Sequence, residues 1–401
     1  MEITWGKNVL DLNMPPSQVV ASHRQKIPMA LPDPAAAVRH VLENPIGYPP
    51  LCRALTPDDQ VAIAVDEKLP CPATLLIPIL EHLRQAGIAC QAITLLCQPP
   101  SSGQPWLEEL PDEFQEVRLE IHDPSDRKRL SYLATTRGGR RVYLNRTAVD
   151  ADQLVLLTRR SYNCLLGYAG GEGDLFPGLG DEASRKETIA KLSFDAPAEN
   201  PWTLHKEALE VAWLLGAPFL VQVIEGPDAS IAEVLAGPID SAAAGQQALD
   251  AHWRVEVDGR PDVVIAGVGG DPARHTFLDL ARAFACAARI VRPQGRIVVL
   301  SEAAPALGRA AEIMKITEDP GQTLLVLEKE RPVDWEAGFL WAHAAQLAKL
   351  YLLSKLPVET SEELFVTPLE HARQVERIVG TGTCLVLPDA HKLMAVVGGT
   401  A

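Results

Sequence analysis

Short, continuously apolar runs recur along the chain, separated by turn residues and by stretches of helical periodicity. "VAIAV" (Val61–Val65) is apolar at every position, as expected of a strand buried on both faces. After "DEKLPCP", Leu76, Ile79, Leu80 and Leu83 fall at helical spacing up to Gly87, and "ACQAITLLC" supplies the next strand. Together these make a βαβ unit whose crossover is expected to be right-handed. Upstream, residues 1–50 are rich in proline and turns around one helical stretch, Ala35–Leu42. Downstream, "RRVYLNRTAVDADQLVLLTRR" predicts a strand, a turn and a second buried strand. A helix over Leu204–Leu215, the strand "PFLVQVIE" and two Ala-rich helical stretches, Ser230–Ala236 and Ala242–Trp253, close a first domain over residues 1–257, with C-terminal helices as an optional complement. "PDVVIAGVGGDP" opens a second domain over 258–401, with strand, glycine turn and the helix "HTFLDLARAFACAARIV". "RPQGRIVVLSEA", helical stretches Trp335–Leu353 and Pro368–Val379, and the strand "TCLVLP" complete it. The predicted fold is α/β: two doubly wound domains with an interdomain cleft, where ligands bind outside the carboxyl ends of strands.

Composition narrows the function classes. The 401 residues are 47% apolar, ordinary for a globular protein, and carry 37 basic against 52 acidic side chains, a formal charge of −15. The basic clusters "DRKRL" and "RGGRR" are short and read as solvated turns, so nucleic acid is not an expected partner. No apolar run approaches the roughly 20 residues needed to cross a bilayer. The start, "MEITWGKNVLDLNMPP", lacks the basic-then-apolar order of a signal peptide. Seven scattered cysteines with no CxxC pair predict reduced thiols and a cytoplasmic location rather than disulfides or a zinc site.

The chemistry-bearing residues are few. "DEKLP" puts Asp66 and Glu67 at the carboxyl end of a strand, where Asp66 can orient a hydroxyl, act as a base or cap the next helix. "GYAGGEGDLFPGLGD" (Gly167–Asp181) holds six glycines in fifteen residues but no lysine, histidine or cysteine, and its acids Glu172 and Asp174 are either ligand contacts or solvated. "GVGGDP" resembles the start of a dinucleotide fold, yet the full GxGxxG is absent. Arg274 and His275, at the next helix start, could bind an anion aided by the helix dipole, or simply cap the helix. Cys164, in the apolar context "CLLG", reads as a core thiol. The histidines show no metal-ligand spacing and no Ser-His-Asp order.

Taken in order, "NPIGYPPL", "VAIAVDEKLPCP", "HDPSD…LATTRGGRRVYLNRTAVDADQLVLLT", "GYAGG…FPG", "NPWTLH", "PDVVIAGVGGDP" and "GRIVVLSEAAPALG" resemble the nickel-pincer-dependent lactate racemases (LarA-type) over roughly residues 5–395. The resemblance implies two α/β domains with cofactor and substrate between them. In active members the nickel-pincer nucleotide is joined through a thioamide to a lysine in the glycine loop. That loop reads as histidine, two apolar residues, a small residue, then G-[FY]-S-G-G-R-K and a Pro-Gly pair. Its glycines fall on Gly167, Gly170, Gly171 and Gly178, whereas the arginine-lysine pair falls on Glu172 and Gly173 and the histidine on Asn163. The other catalytic histidine falls near Ser101, and the substrate-binding arginine of D-x-T-R-P on Leu69, with Asp66 retained. A glutamine and a lysine of the second domain fall on Asp279 and Arg282, and the nickel-ligating histidine has no counterpart in "GLGDEASRKETIAKL".

Hydride-transfer racemisation needs that cofactor and two bases, so these departures imply a different role. The expectation is a family member without metal or covalent cofactor. It would bind a small hydroxy-acid-like anion in the cleft through Asp66, Gly170, Gly171, Glu172, Asp174, Arg274, His275 and Arg282. Asp66, Ser101 and Asn163 are the candidate catalytic positions. Two alternatives stand beside it: a 2-hydroxyacid racemase or epimerase holding the pincer non-covalently or using another metal, and an NAD-type oxidoreductase.

Overall fold

The computed structural model describes residues 2–98, 104–165, 167–190 and 203–398. The chain forms two compact α/β units. One comprises Pro28–Gly226 and Ser230–Leu249; the other comprises Met1–Ile27, Pro227–Ala229 and Asp250–Ala401. The first 27 residues thus group with the C-terminal half, where the sequence boundary had put residues 1–257 together.

The first unit is built on a seven-stranded sheet: β1 (Val61–Val65), β2 (Ile93–Cys97), β3 (Arg118–Ile121), β4 (Gln153–Asn163), β5 (Gly167–Ala169), β6 (Phe219–Glu225) and β7 (Ile231–Pro238). The order is β7-β6-β4-β1-β2-β3, parallel except at β7, with β5 turned back antiparallel on β4. Alternation divides the apolar runs between two cores, as a sheet covered on both faces requires. Val61, Ile63, Val65, Val155 and Leu157 join the helix Pro72–Gln85 in one core. Ala62, Ala64, Leu154 and Leu156 join Val211 and Ala212 of the helix Thr203–Leu215 in the other.

In the second unit, β8 (Val263–Gly267), β9 (Arg296–Leu300), β10 (Lys349–Leu353), β11 (Val366–Pro368) and β12 (Cys384–Leu387) form an all-parallel sheet ordered β11-β10-β9-β8-β12. Ile3, Trp5 and Leu12 of the N-terminal segment cover one of its faces. The helices Phe277–Ile290 and Trp335–Leu347 pack against each other, with Trp341 4.7 Å from Phe284 and 5.1 Å from Phe277.

Three expectations change. Ser230–Ala236 is not helical: Ile231–Ala236 lies in β7, because pairing with β6 from Phe219 to Glu225 outweighs the helix preference of alanine. The helix expected over Trp335–Leu353 stops at Leu347, and Lys349–Leu353 becomes β10, with Leu350 and Leu352 buried between less buried neighbours. Of Pro368–Val379, only Gln374–Val379 is helical. Among the described residues no helix is long and apolar enough to cross a membrane.

Packing of the N-terminal segment on β8 is close enough that a Cβ at Gly267 would overlap the Thr4 carbonyl. Gly267→Val is therefore expected to destabilise the protein by about 1–3 kcal/mol in a denaturant melt, as overpacked cores do. An unchanged midpoint would mean that the segment does not pack there.

A strand-end site beneath the glycine loop

Four neighbouring strands of the first unit bring polar residues to one edge. Asp66 follows β1, Gln98 follows β2, Thr158 to Arg160 lie on β4, and Glu225 ends β6. Alternation sets their directions. Continuing the Ala64–Leu156 register places Asp66 beside Thr158, and the Asp66 amide donates to the Leu157 carbonyl at 3.0 Å. Arg159 bridges Glu225 Oε1 at 2.9 Å and Asp66 Oδ2 at 3.7 Å.

Arg160 is the hub. Its guanidinium is wholly buried and Glu172 is 1% exposed, with Nη2 to Oε2 at 2.9 Å. Nε donates to Gln222 Oε1 at 2.7 Å, Nη1 to the Gly170 carbonyl at 3.2 Å, and Nη2 also to the Ala242 carbonyl at 3.4 Å. Gln246 donates to the second Glu172 oxygen at 3.3 Å. The glycines serve this arrangement. Gly170 and Gly171 have φ of +83° and +62°, and a Cβ would overlap the Arg159 carbonyl at the first and the Arg160 guanidinium at the second. Gly173 differs, because a Cβ there meets nothing within 4 Å.

Asp174 is gripped from the same strand. The Gly171 amide donates to Thr158 Oγ1, and the Thr158 hydroxyl donates in turn to Asp174 Oδ2, while Gln98 donates to the Asp174 carbonyl at 2.8 Å. Burial, and then the charge of Asp66, push the Asp174 carboxyl up to about 7, against the opposing pull of Thr158, Arg160 and Lys68.

Asn163 is buried, its side-chain oxygen accepting from the Leu165 amide at 2.8 Å. Ser101 lies outside the described residues. His122 anchors the far end of the loop: its Nε2 donates to the Gly180 carbonyl at 3.0 Å, and burial lowers its pKa, as in a satisfied core histidine. Cys164 is buried, as expected of a core thiol.

One group among the described residues brings metal-type donors within 4.8 Å of one another: Glu43, Cys52 and His82. The Cys52 amide donates to His82 Nε2 at 3.0 Å, which puts the ring hydrogen on Nδ1, 3.5 Å from Glu43 Oε1. The neutral ring thus has no lone pair left for a cation, and burial lowers its pKa.

The remaining sequence candidates lie in the second unit, at the carboxyl ends of β8 and β12. Arg274 is exposed on the turn Pro272–Arg274. The His275 ring meets that of His391 edge-on at 5.5 Å. Arg282 lies 3.7 Å from Glu336. Asp279 forms a capping box with Thr276. Burial works against its charge, but His391, Thr276 and Arg282 outweigh it and hold its pKa below the usual range. His391 and Lys392 escaped the sequence reading, although "LPDAHK" follows a strand end just as "DEKLP" does.

Two parallel-sheet units, one carrying a glycine-rich loop closed over its own strand ends, define an α/β protein with a built strand-end site. Comparison with known proteins gives its kinship. Residues 5–192 match the lactate racemase N-terminal domain. The chain is 23% identical over 431 aligned residues to the lactate racemase of Thermoanaerobacterium thermosaccharolyticum, covering 97% of each. The structure of the lactate racemase apoprotein from that organism matches with a TM-score of 0.81 at 19% identity, over 98% of this chain and 99% of that one. A crystal structure of a Thermotoga maritima protein matches with a TM-score of 0.62 at 11% identity, over 92% and 100%. Residues 5–192 thus carry a match to the lactate racemase N-terminal domain, and the likeness to a lactate racemase runs over nearly the whole chain.

Two outcomes follow from the loop. Glu172→Ala leaves Arg160 buried beside an unpaired position and is expected to cost about 3–5 kcal/mol, whereas Gly173→Ala, facing open space, should shift the melt little. Equal costs would refute the hub role of Arg160. Asp174 binds its proton more tightly folded than unfolded. Its contribution to stability is therefore fully present below the ordinary value of 3.8 and is lost as pH rises through about 7. Asp174→Asn, whose amide oxygen can still accept from Thr158, should flatten that fall, so thermal melts of mutant and wild type should differ most above pH 7.

Proposed function

We propose that this protein is a lactate racemase family member that binds a small carboxylate without a covalently tethered nickel-pincer nucleotide. The observation that carries the reading is the loop itself. Where the family tether calls for an amine, Gly173 has none, and Glu172 occupies the arginine position with its carboxylate turned inward onto Arg160. The neighbouring Asp66, Asp174 and Glu225 are acidic, a poor setting for a phosphate-bearing cofactor. The residues present therefore do not fit the tethered group, and no step is derived through it.

The anion belongs to the second unit in this reading. His275, Arg282, His391 and Lys392 gather near the start of the helix Phe277–Ile290, whose dipole favours negative charge. Arg274 stands exposed at the mouth of the same turn. The glycine turn there does not favour a dinucleotide, since a Cβ at Gly269 would overlap the Asp389 carboxylate, and one at Gly270 would lie 3.7 Å from His275 Nε2.

The test is a thermal-shift screen of hydroxy and keto carboxylates together with elemental analysis of the natively expressed protein. Stabilisation by a carboxylate, reduced at least about tenfold in affinity by Arg282→Ala, with no stoichiometric nickel, is the expected result, since losing a charge-assisted contact costs about 1.5–3 kcal/mol. Stoichiometric nickel, or a hit untouched by Arg282→Ala, would overturn the reading.

A further inference from the structure

The strand ends of the second unit, where the carboxylate is proposed to bind, hold their charges in balance. Arg282 lies 3.7 Å from Glu336 and also acts on Asp279, as His391 does. Lys392 and Arg24 both act on Asp389, and they lie over the Trp253 ring at 5.7 and 5.8 Å from its centre. Asp228, from the segment Pro227–Ala229, sets a second acid near Asp389: a Cβ at Gly269 would overlap the Asp389 carboxylate and lie 3.7 Å from Asp228 Oδ1. Asp271 and Arg274, on the turn before the helix, are exposed, so water screens both. The fixed cations are matched by acids, and an entering carboxylate brings one negative charge more.

His275 stands apart from this balance. Among the described residues no acid lies within ion-pair reach of it, and its Nδ1, shielded from solvent, has no hydrogen-bond partner. Its ring meets that of His391 edge-on at 5.5 Å, with Nε2 3.7 Å from the place a Cβ on Gly270 would take. His391 differs in facing Asp279, which meets its charge from within the protein. A charged imidazole carries a hydrogen on both nitrogens, and Nδ1 of His275 has no acceptor for its own. A carboxylate oxygen is such an acceptor and brings the opposite charge. Histidine is also the side chain that changes charge between about pH 5 and 8.

We propose that His275 supplies the positive charge that meets the bound carboxylate, taking up a proton from solvent as the ligand enters. Binding is then tight in mild acid and weakens as pH rises. The sign follows from linkage: a site that gains a proton on binding loses affinity with rising pH, by at most about tenfold per unit for one proton. Carboxylates ionise at about pH 4 and below, so over this range the ligand's own charge does not change. No covalent bond forms, and nothing is oxidised or reduced.

This role rests on the carboxylate reading, and calorimetry separates the two. The full-length protein is titrated with lactate, glycolate and pyruvate at about pH 6, 7 and 8, each in two buffers of different ionisation heat, PIPES and bis-Tris. The difference in binding heat between the buffers counts the protons taken up. Uptake of up to one proton at about pH 7, and an affinity at least about tenfold weaker at pH 8 than at pH 6, are expected. His275→Gln keeps a hydrogen-bonding side chain that cannot become charged. It should bind more weakly at pH 6, take up no proton and show an affinity that no longer varies with pH. Binding with equal heats in the two buffers and an unchanging affinity would overturn the proposal and leave the carboxylate reading standing. No binding of any probe at any of these pH values would overturn both. Uptake that survives His275→Gln but is lost in Asp389→Asn would put the proton on Asp389 and refute the assignment. The wild-type heats decide whether a proton is taken up even if His275→Gln fails to fold, and His275→Asn then serves for the assignment.

Discussion

The buried ion pair between Arg160 and Glu172 is the constraint on which the first unit's site depends. Removing both charges from water costs several kcal/mol each, so the pair is tolerable only if the remaining donors and acceptors are satisfied. Here they are met from four directions: Gln222 on β6, the Gly170 carbonyl in the loop, the Ala242 carbonyl at a helix start, and Gln246 for the second carboxylate oxygen. One guanidinium thereby ties loop, two strands and a helix together. It also dictates the glycines, since only a residue without Cβ lets the loop backbone descend onto Arg160 at Gly171. A glycine-rich loop usually signals a ligand lying against backbone; in this protein much of that closeness serves an arginine of the chain itself.

The pair also accounts for the acid at position 172. An arginine at position 172 would bring a second cation against a guanidinium that is wholly buried, a like-charge contact with no water to screen it. Arg160 and an arginine at position 172 are thus mutually exclusive in this geometry, and Glu172 is the acid that Arg160 requires. The open space at Gly173 is a different matter, because nothing packs against that position and no steric demand explains the glycine. The glycine at 173 is therefore not imposed by the packing around it.

Much of the fold was legible because parallel sheets buried on both faces announce themselves as unbroken apolar runs, as in Val61–Val65 and Val263–Ala266. The misreadings have one cause. Ile231–Ala236 and Lys349–Leu353 are made of residues that suit a helix, and only their partners β6 and β9 turn them into strands. For the same reason no local pattern could reveal that Ile3, Trp5 and Leu12 cover the sheet of the C-terminal half. At the site, the positions of Asp66, Gly170, Gly171 and Asp174 were legible from strand-end and glycine signals. The direction of Glu172 was not, since an acid in a polar loop reads as solvated until the facing Arg160 is known.

What the charges at the strand ends add up to follows from those partners. Arg160 is matched by Glu172, and Arg159 is shared between Glu225 and Asp66. Asp174 is held by a hydroxyl and, among the described residues, has no ion pair, with the Asp66 carboxylate nearby. A second full negative charge there would be unsolvated and repelled, so the least costly state near neutral pH retains a proton on Asp174. That preference follows from how the two arginines are shared, and Asp174 lies at the carboxyl edge of a parallel sheet, where α/β proteins place their ligands. The sharing of Arg159 and Arg160 thus leaves, at the carboxyl edge of the sheet, one acid whose burial favours its protonated form.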